Sequence, residues 1–503
     1  MTHPRSSGVL LHPTSLPGPH GIGDLGQAAY RFVDFLVAAR QSLWQVLPLG
    51  PTSYGDSPYA SFSSYAGNPL LVDLQQLVEE GDLLPGDLAS DPQLPLHRVD
   101  YGAVIEHKTR LLRQAADRLR VYASAQRREE LQAFCQQKQR WLDDYALFMA
   151  LKDAYRGTMW NTWPDDIVQR RPEALSQWQS ALADEIHWPK YTQFQFFRQW
   201  SALRHYADER GIRIIGDIPI FVAPDSADAW AHAEVFHIDA RGHLTVVAGV
   251  PPDYFSATGQ RWGNPLYRWN VIAADGYRWW IDRIQSGLEL VDILRIDHFR
   301  GFQDCWEIPA EEPTAVKGRW VPGPGDTLFD ALRGALGDDL PIIAEDLGMI
   351  TEEVQSLRER ARLPGMKVLQ FAFSEGPDHQ YLPHNYAADC VVYLGTHDND
   401  TTLGWFRSLS QREREYTLRY LGRDEHDIVW AMMHLAFVSV ARIAVVTAQD
   451  LLKLGSEARM NTPGASSGNW QWRCQPGVLG DDISRWLGEL TETFGRALPE
   501  EEK

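Results

Sequence analysis

The sequence predicts an α/β protein built on a (β/α)8 barrel, the TIM-barrel architecture, with a helical insertion and an irregular lid over the C-terminal face of the strands. Three observations carry that expectation. Eight short apolar runs recur along the 503 residues, several of them ending in polar residues. Helical patterns lie between them, and two long polar gaps interrupt the series. Near-continuous apolar runs alternating with helices are the signature of parallel strands covered on both faces. The length exceeds one simple compact domain but suits a single barrel, 1–503, with insertions.

Taken in order, the first run (8–15) carries His12 near its end. It is followed by a GxGxxG pattern at 21–26 that resembles a dinucleotide fingerprint. Pro13, Pro17 and Pro19 separate that pattern from its strand, and no acid ends the next run, so it reads as a glycine-rich loop entering a helix. The second run is 43–49. Between it and the third, 83–198 is charged, with apolar residues at helical spacing over 103–123 and 129–155, which predicts a mainly helical insertion. The third run, 212–220, contains Asp217. Residues 224–270, rich in Pro, Gly, Asp and Trp, predict an irregular lid subdomain between strands three and four. The remaining runs are 292–299, 341–347, 366–373, 390–398 and 442–451.

Composition narrows the function. The balance of 48 basic against 67 acidic residues gives a net charge of −19, which disfavours nucleic acid and anionic membranes as partners. Four scattered cysteines without metal-type spacing suit a reducing compartment, and no signal core or long uncharged apolar run is present, so a cytoplasmic protein is expected. The 19 Trp, 18 Tyr and 19 Phe suit a sugar cleft but equally a large core.

In such barrels the site lies at the C-terminal ends of the strands. The fourth run places Arg295 and Asp297 two residues apart, on one face of a strand. A neighbouring guanidinium keeps a carboxylate ionised, as a nucleophile must be. A structural salt bridge is the plain alternative. The fifth run ends in Glu345 and Asp346. Glu345, after an apolar stretch, would be partly desolvated and hold its proton, as a general acid does. Asp346, or the stretch 351–353, can cap the next helix instead. The seventh run adds His397 and Asp398. Metal ligation by the acids with His12, His298 and His397 is a competitor, although no HxH or HExxH spacing accompanies them. Two carboxylates of unlike environment at one bond satisfy the requirement for glycosidic cleavage.

In addition, the chain resembles the 4-α-glucanotransferases of glycoside hydrolase family 77 (the amylomaltase or disproportionating type) through an ordered series. It comprises GDSPY (55–59), GDIPI (216–220), GVPPDY (249–254), GQRWGNP (259–265), RIDHFRG (295–301), AEDLG (344–348), GTHDN (395–399), RMNTPG (459–464) and then Asn469 and Trp470. The resemblance implies Asp297 as nucleophile, Glu345 as general acid/base and Asp398 as transition-state stabiliser. Tyr59, Ser57, Asp217, Asp253, Gln260, Trp262, Arg295, His397, Phe371 and Asn461 are implied to bind substrate. It further implies α-1,4-glucans and maltooligosaccharides as substrates, no metal and no other cofactor. Ala257 departs from the Glu of many relatives beside the cleft loop, and the start of the chain suggests that the N-terminal extension of longer relatives is missing. A monomer is favoured. An α-glucan hydrolase of the same barrel class and a catalytically silent glucan-binding protein are the rival readings.

Overall fold

A computed structural model describes residues 5–89, 93–252 and 256–498. Twelve strands occur among them: β1 (Ser6–Leu10), β2 (Leu43–Gln45), β3 (Arg213–Pro219), β4 (Val246–Val250), β5 (Gln260–Pro265), β6 (Ile293–Asp297), β7 (Asp304–Pro309), β8 (Arg319–Pro322), β9 (Ile342–Ala344), β10 (Gly365–Val368), β11 (Cys390–Tyr393) and β12 (Ile443–Thr447). Eight form one sheet in the order β10-β11-β12-β1-β2-β3-β6-β9, every pairing parallel. The outer strands β9 and β10 meet through Ala344 N–H and the Pro364 carbonyl at 3.0 Å, which nearly closes the barrel.

Each of the eight apolar runs supplies one barrel strand, and most strands stop several residues short of their run. The leftover residues form the loops that carry the polar groups. Alternation separates two layers of core. Leu10, Ile215, Ile293, Ile343, Val391, Ile443 and Val445 share one buried cluster with Met366 and Tyr393. Their strand neighbours Val9, Ile214, Leu294, Ile342, Val392, Ala444 and Val446 belong to a second, with the surrounding helices. Period-two alternation inside and outside the barrel is what a strand covered on both faces must show. Burying each Leu, Ile or Val side chain contributes roughly 1.5–3 kcal/mol.

Between β2 and β3 the long helices are Tyr101–Tyr122, Ala125–Ala154 and Ala183–Asp208. Asp100 and Ser124 cap the first two by accepting from Ala103 and Arg127 N–H. Residue 198 falls inside the third, whose buried Trp200, Leu203 and Ala207 pack in the outer core of the barrel. This helix therefore belongs to the segment and to the barrel together. The segment 224–270 is more regular than expected. It contributes β4 and β5 to an antiparallel sheet of order β5-β4-β7-β8, whose other two strands come from 304–322. Among the described residues no helix is long and apolar enough to cross a membrane.

Candidate active site

Arg295 is the centre of the constellation. It lies on β6 with its side chain buried, and donates from Nη2 to Asp297 Oδ1 at 2.7 Å and from Nη1 to Asp217 Oδ2 at 2.6 Å. Burial works against a charged guanidinium, but Asp217 and Asp297 overcome it and hold its pKa well above the usual value. The fork thereby fixes the Asp297 carboxylate at the end of β6, one side chain beyond the packed interior. Asp217, on β3, also accepts from the Tyr59 hydroxyl at 2.7 Å. Burial pushes Asp217 up to about 7 against the pull of Arg295. The Tyr59 ring stacks on His397 with centroids 5.0 Å apart and planes at 16°. Ser57 Oγ accepts from the Tyr59 N–H at 3.2 Å, so it shapes the turn that presents Tyr59.

Glu345 sits just past β9, next to Asp297 across the β6–β9 pair, with its N–H donated to the Ile296 carbonyl at 3.0 Å. Its oxygens accept from Leu347 N–H at 2.8 Å and His298 N–H at 2.7 Å. Burial raises its pKa, and Asp297 raises it further. Arg295 and the two backbone donors pull the other way, and the carboxyl rests at about 8. Glu345 is thus biased toward its protonated form beside a carboxyl group gripped by an arginine. His298 makes this geometry possible. Its φ of 60° turns the chain sharply after Asp297, a conformation that strains a non-glycine residue, and so delivers its N–H to Glu345.

The third acid, Asp398, lies in the loop after β11. His397 Nε2 is 3.4 Å from its Oδ1, and Asn461 Nδ2 donates to the same oxygen at 2.6 Å. Burial lowers the His397 pKa, and Asp398 offsets this in part. Arg459, which sequence reasoning passed over as a site residue, donates to the carbonyls of Asp398 and Asn461 at 2.6 and 2.7 Å. It clamps the two loops together. Trp470, with φ of 65°, completes the wall against Tyr59 and His397.

From the four-stranded sheet, Trp262 meets the His298 ring edge-on at 4.8 Å and donates its indole N–H to Gln260 Oε1 at 3.1 Å. Trp262 and Phe371 remain 39% and 38% exposed, which leaves apolar ring surface facing solvent. Phe371 packs edge-on against Tyr381. Asp253, expected among the substrate-binding residues, lies outside the described residues. Asp346 does not cap the following helix, a role the sequence left open for it. Its Oδ1 accepts from Met366 N–H at 2.7 Å because the side chain points outward, away from Glu345.

Among the described residues, no group of three or more His, Cys, Asp or Glu side chains is placed to hold a metal ion. His12 is buried, its Nδ1 accepts from Leu47 N–H at 3.3 Å, and burial lowers its pKa to about 3. The 21–26 glycines serve packing: a Cβ on Gly23 would lie 2.0 Å from the Pro13 carbonyl oxygen.

Similarity to known proteins agrees with this arrangement. The family profile described as 4-alpha-glucanotransferase matches residues 11–479. A 4-alpha-glucanotransferase of Thermus thermophilus is 54% identical over 99% of this chain and 100% of its own length. A chloroplastic/amyloplastic 4-alpha-glucanotransferase of Solanum tuberosum is 44% identical over 98% of this chain and 86% of its own. Among solved structures, amylomaltase from Streptococcus agalactiae in complex with acarbose aligns with a TM-score of 0.95 at 40% identity, covering 98% of this chain and 100% of that one. With the profile spanning nearly the whole barrel and relatives matched end to end, the chain belongs to the 4-alpha-glucanotransferase family, glycoside hydrolase family 77.

Proposed function

We propose that this protein is a 4-α-glucanotransferase that moves α-1,4-glucan segments to the 4-hydroxyl of an acceptor sugar by a retaining double displacement. The observation that carries the reading is the pairing of Asp297, held by Arg295, with Glu345 at the end of the adjacent strand, whose burial beside Asp297 favours its protonated form. Neighbouring strands lie about 4.8 Å apart, so inward carboxyls at adjacent ends suit the shorter spacing of retaining enzymes, about 5–5.5 Å.

Asp297 attacks the anomeric carbon while Glu345 gives its proton to the departing glycosidic oxygen. The covalent glucosyl ester forms and the donor fragment leaves. Glu345, now ionised, takes the proton of the acceptor's 4-hydroxyl, which displaces Asp297 and restores the α configuration. Asp398, oriented by Asn461, faces the positive charge that develops on the sugar ring. Tyr59, Asp217, Arg295 and His397 form the floor under the reacting sugar. Ser57, Gln260, Trp262, Phe371 and Asn461 line the approach of donor and acceptor.

In this reading 83–198 is a helical insertion, and 224–270 with β7 and β8 is a lid that favours sugar over water as acceptor. Maltooligosaccharides and longer α-glucans, including cyclisation of long chains, are the substrates. No metal or organic cofactor enters any step, and the cytoplasm is the compartment. Incubation with maltotriose tests the proposal. A ladder of shorter and longer products at constant reducing ends supports transfer, whereas rising reducing ends without longer products would replace it with hydrolysis.

A further inference from the structure

Glu345 and Asp346 are consecutive, and their side chains part to opposite sides of the chain. Glu345 turns into the cleft, and Asp346 turns outward to the place where β9 meets β10, the two ends of the hydrogen-bonded strand order. There a backbone bond from Ala344 N–H to the Pro364 carbonyl is followed by a rung of another kind. Asp346 Oδ1, a side-chain oxygen, accepts the Met366 N–H at 2.7 Å. Its Oδ2 lies 3.1 Å from Arg358 Nε. Arg358 Nη1 in turn donates to the Leu363 carbonyl at 2.8 Å, tying the helix Glu352–Arg360 to the entry of β10.

Space for this carboxylate depends on residue 365. A Cβ added to Gly365 would stand 2.3 Å from Asp346 Oδ2, far inside contact distance. The Asp346–Leu347 peptide is planar and rotates as a unit. Pinning Asp346 from outside therefore fixes the direction of the Leu347 N–H, which meets Glu345 Oε1 at 2.8 Å.

We propose that Asp346 is a positioning residue for the transfer reaction: by fastening the outer side of the 344–348 turn to β10 and Arg358, it holds the Leu347 N–H on Glu345 and so aims the acid/base. The proposal rests on the reading of Glu345 as acid/base. Aim and proton affinity are linked, because the Leu347 N–H favours the ionised form of Glu345. Released from its anchor, the turn misdirects the carboxyl and strengthens its hold on the proton.

The test measures kcat, KM and the pH–rate profile for maltotriose disproportionation in Asp346→Ala, Asp346→Asn and Gly365→Ala, corrected for folded fraction. Asp346→Ala should lower kcat by up to about 100-fold, the scale of a misplacement near 1 Å, with KM little changed and the alkaline limb moved to higher pH. Asp346→Asn keeps an acceptor oxygen for Met366 N–H and should recover most of kcat. Gly365→Ala, which drives the carboxylate off that amide with Asp346 still present, should reproduce the alanine signature and stands in if Asp346→Ala fails to fold. Wild-type kcat and alkaline limb in the folded Asp346→Ala and Gly365→Ala proteins would overturn the proposal. So would losses that vanish once corrected for folded fraction. Glu345→Gln separates the two claims: an unchanged alkaline limb in that variant would remove the acid/base reading itself, whatever Asp346 does.

Discussion

At the scale of single residues, the chemistry depends on unlike surroundings for like groups. Asp297 faces the Arg295 fork, whereas burial beside Asp297 pushes Glu345 up to about 8. Glu345→Gln should reduce transfer by on the order of 100- to 10,000-fold, the usual worth of a positioned acid or base, and Asp297→Asn, which removes the nucleophile, by at least as much, with KM moving far less; product chromatography on maltotriose checks this. The rate of the first displacement should fall as pH rises through about 8, because the proton donor is lost. Stability has its own sign. Asp217 has a folded pKa of about 7 against an ordinary 3.8, so its neutral form is favoured in the folded state. Its contribution is fully present below the ordinary value and is lost as pH rises through about 7. Asp217→Asn should flatten the decline of unfolding free energy between about pH 4 and 7 in urea titrations; an unaltered slope would show that Asp217 is ionised throughout.

At the scale of elements, each loop borrows its order from a neighbour. The helical segment between β2 and β3 is pinned by Lys108, fully buried in helix Tyr101–Tyr122. Its Nζ donates to the Leu70 and Val72 carbonyls at 2.8 Å each and lies 4.0 Å from Asp24 Oδ2. Lys108→Met leaves Asp24 and both carbonyls buried without that cation and should cost about 3–5 kcal/mol, read from the urea midpoint. On the four-stranded sheet, Trp262 couples β5 to His298. Trp262→Ala should raise the acceptor KM by about tenfold, the worth of one aromatic contact near 1.4 kcal/mol. Water should then gain on sugar as acceptor, visible as newly released reducing ends.

At the scale of the whole molecule, the barrel brings to one rim groups from β3, β6, β9 and the loop after β11, separated by up to 181 residues between Asp217 and Asp398. The end of the chain helps to hold that frame. Arg496 is buried beyond the helix Asp481–Thr493 and donates to the carbonyls of Ser6, Phe437 and Ala441 at 3.0, 2.9 and 2.9 Å. It thereby ties the start of β1 to the segment before β12. Because every proposed step uses side chains of this rim, transfer should proceed at an unchanged rate after dialysis against chelator. A rate restored only by added divalent metal would contradict the mechanism.

Whatever repeats locally is legible in the chain alone. Eight apolar runs mark eight parallel strands, and period-two alternation puts Arg295 and Asp297 on one face. The acids were legible for the same reason, each following an apolar stretch that marks a strand end. Tertiary structure decided the rest. The sheet β5-β4-β7-β8 unites segments that straddle a barrel strand, and strands rich in Gly, Pro and charge give little local signal of pairing. The outward turn of Asp346, the left-handed His298 and the burial of Lys108 depend on which surfaces meet. Local periodicity records the face a residue presents; its partner is set by long-range packing, which leaves no mark within a window of neighbours.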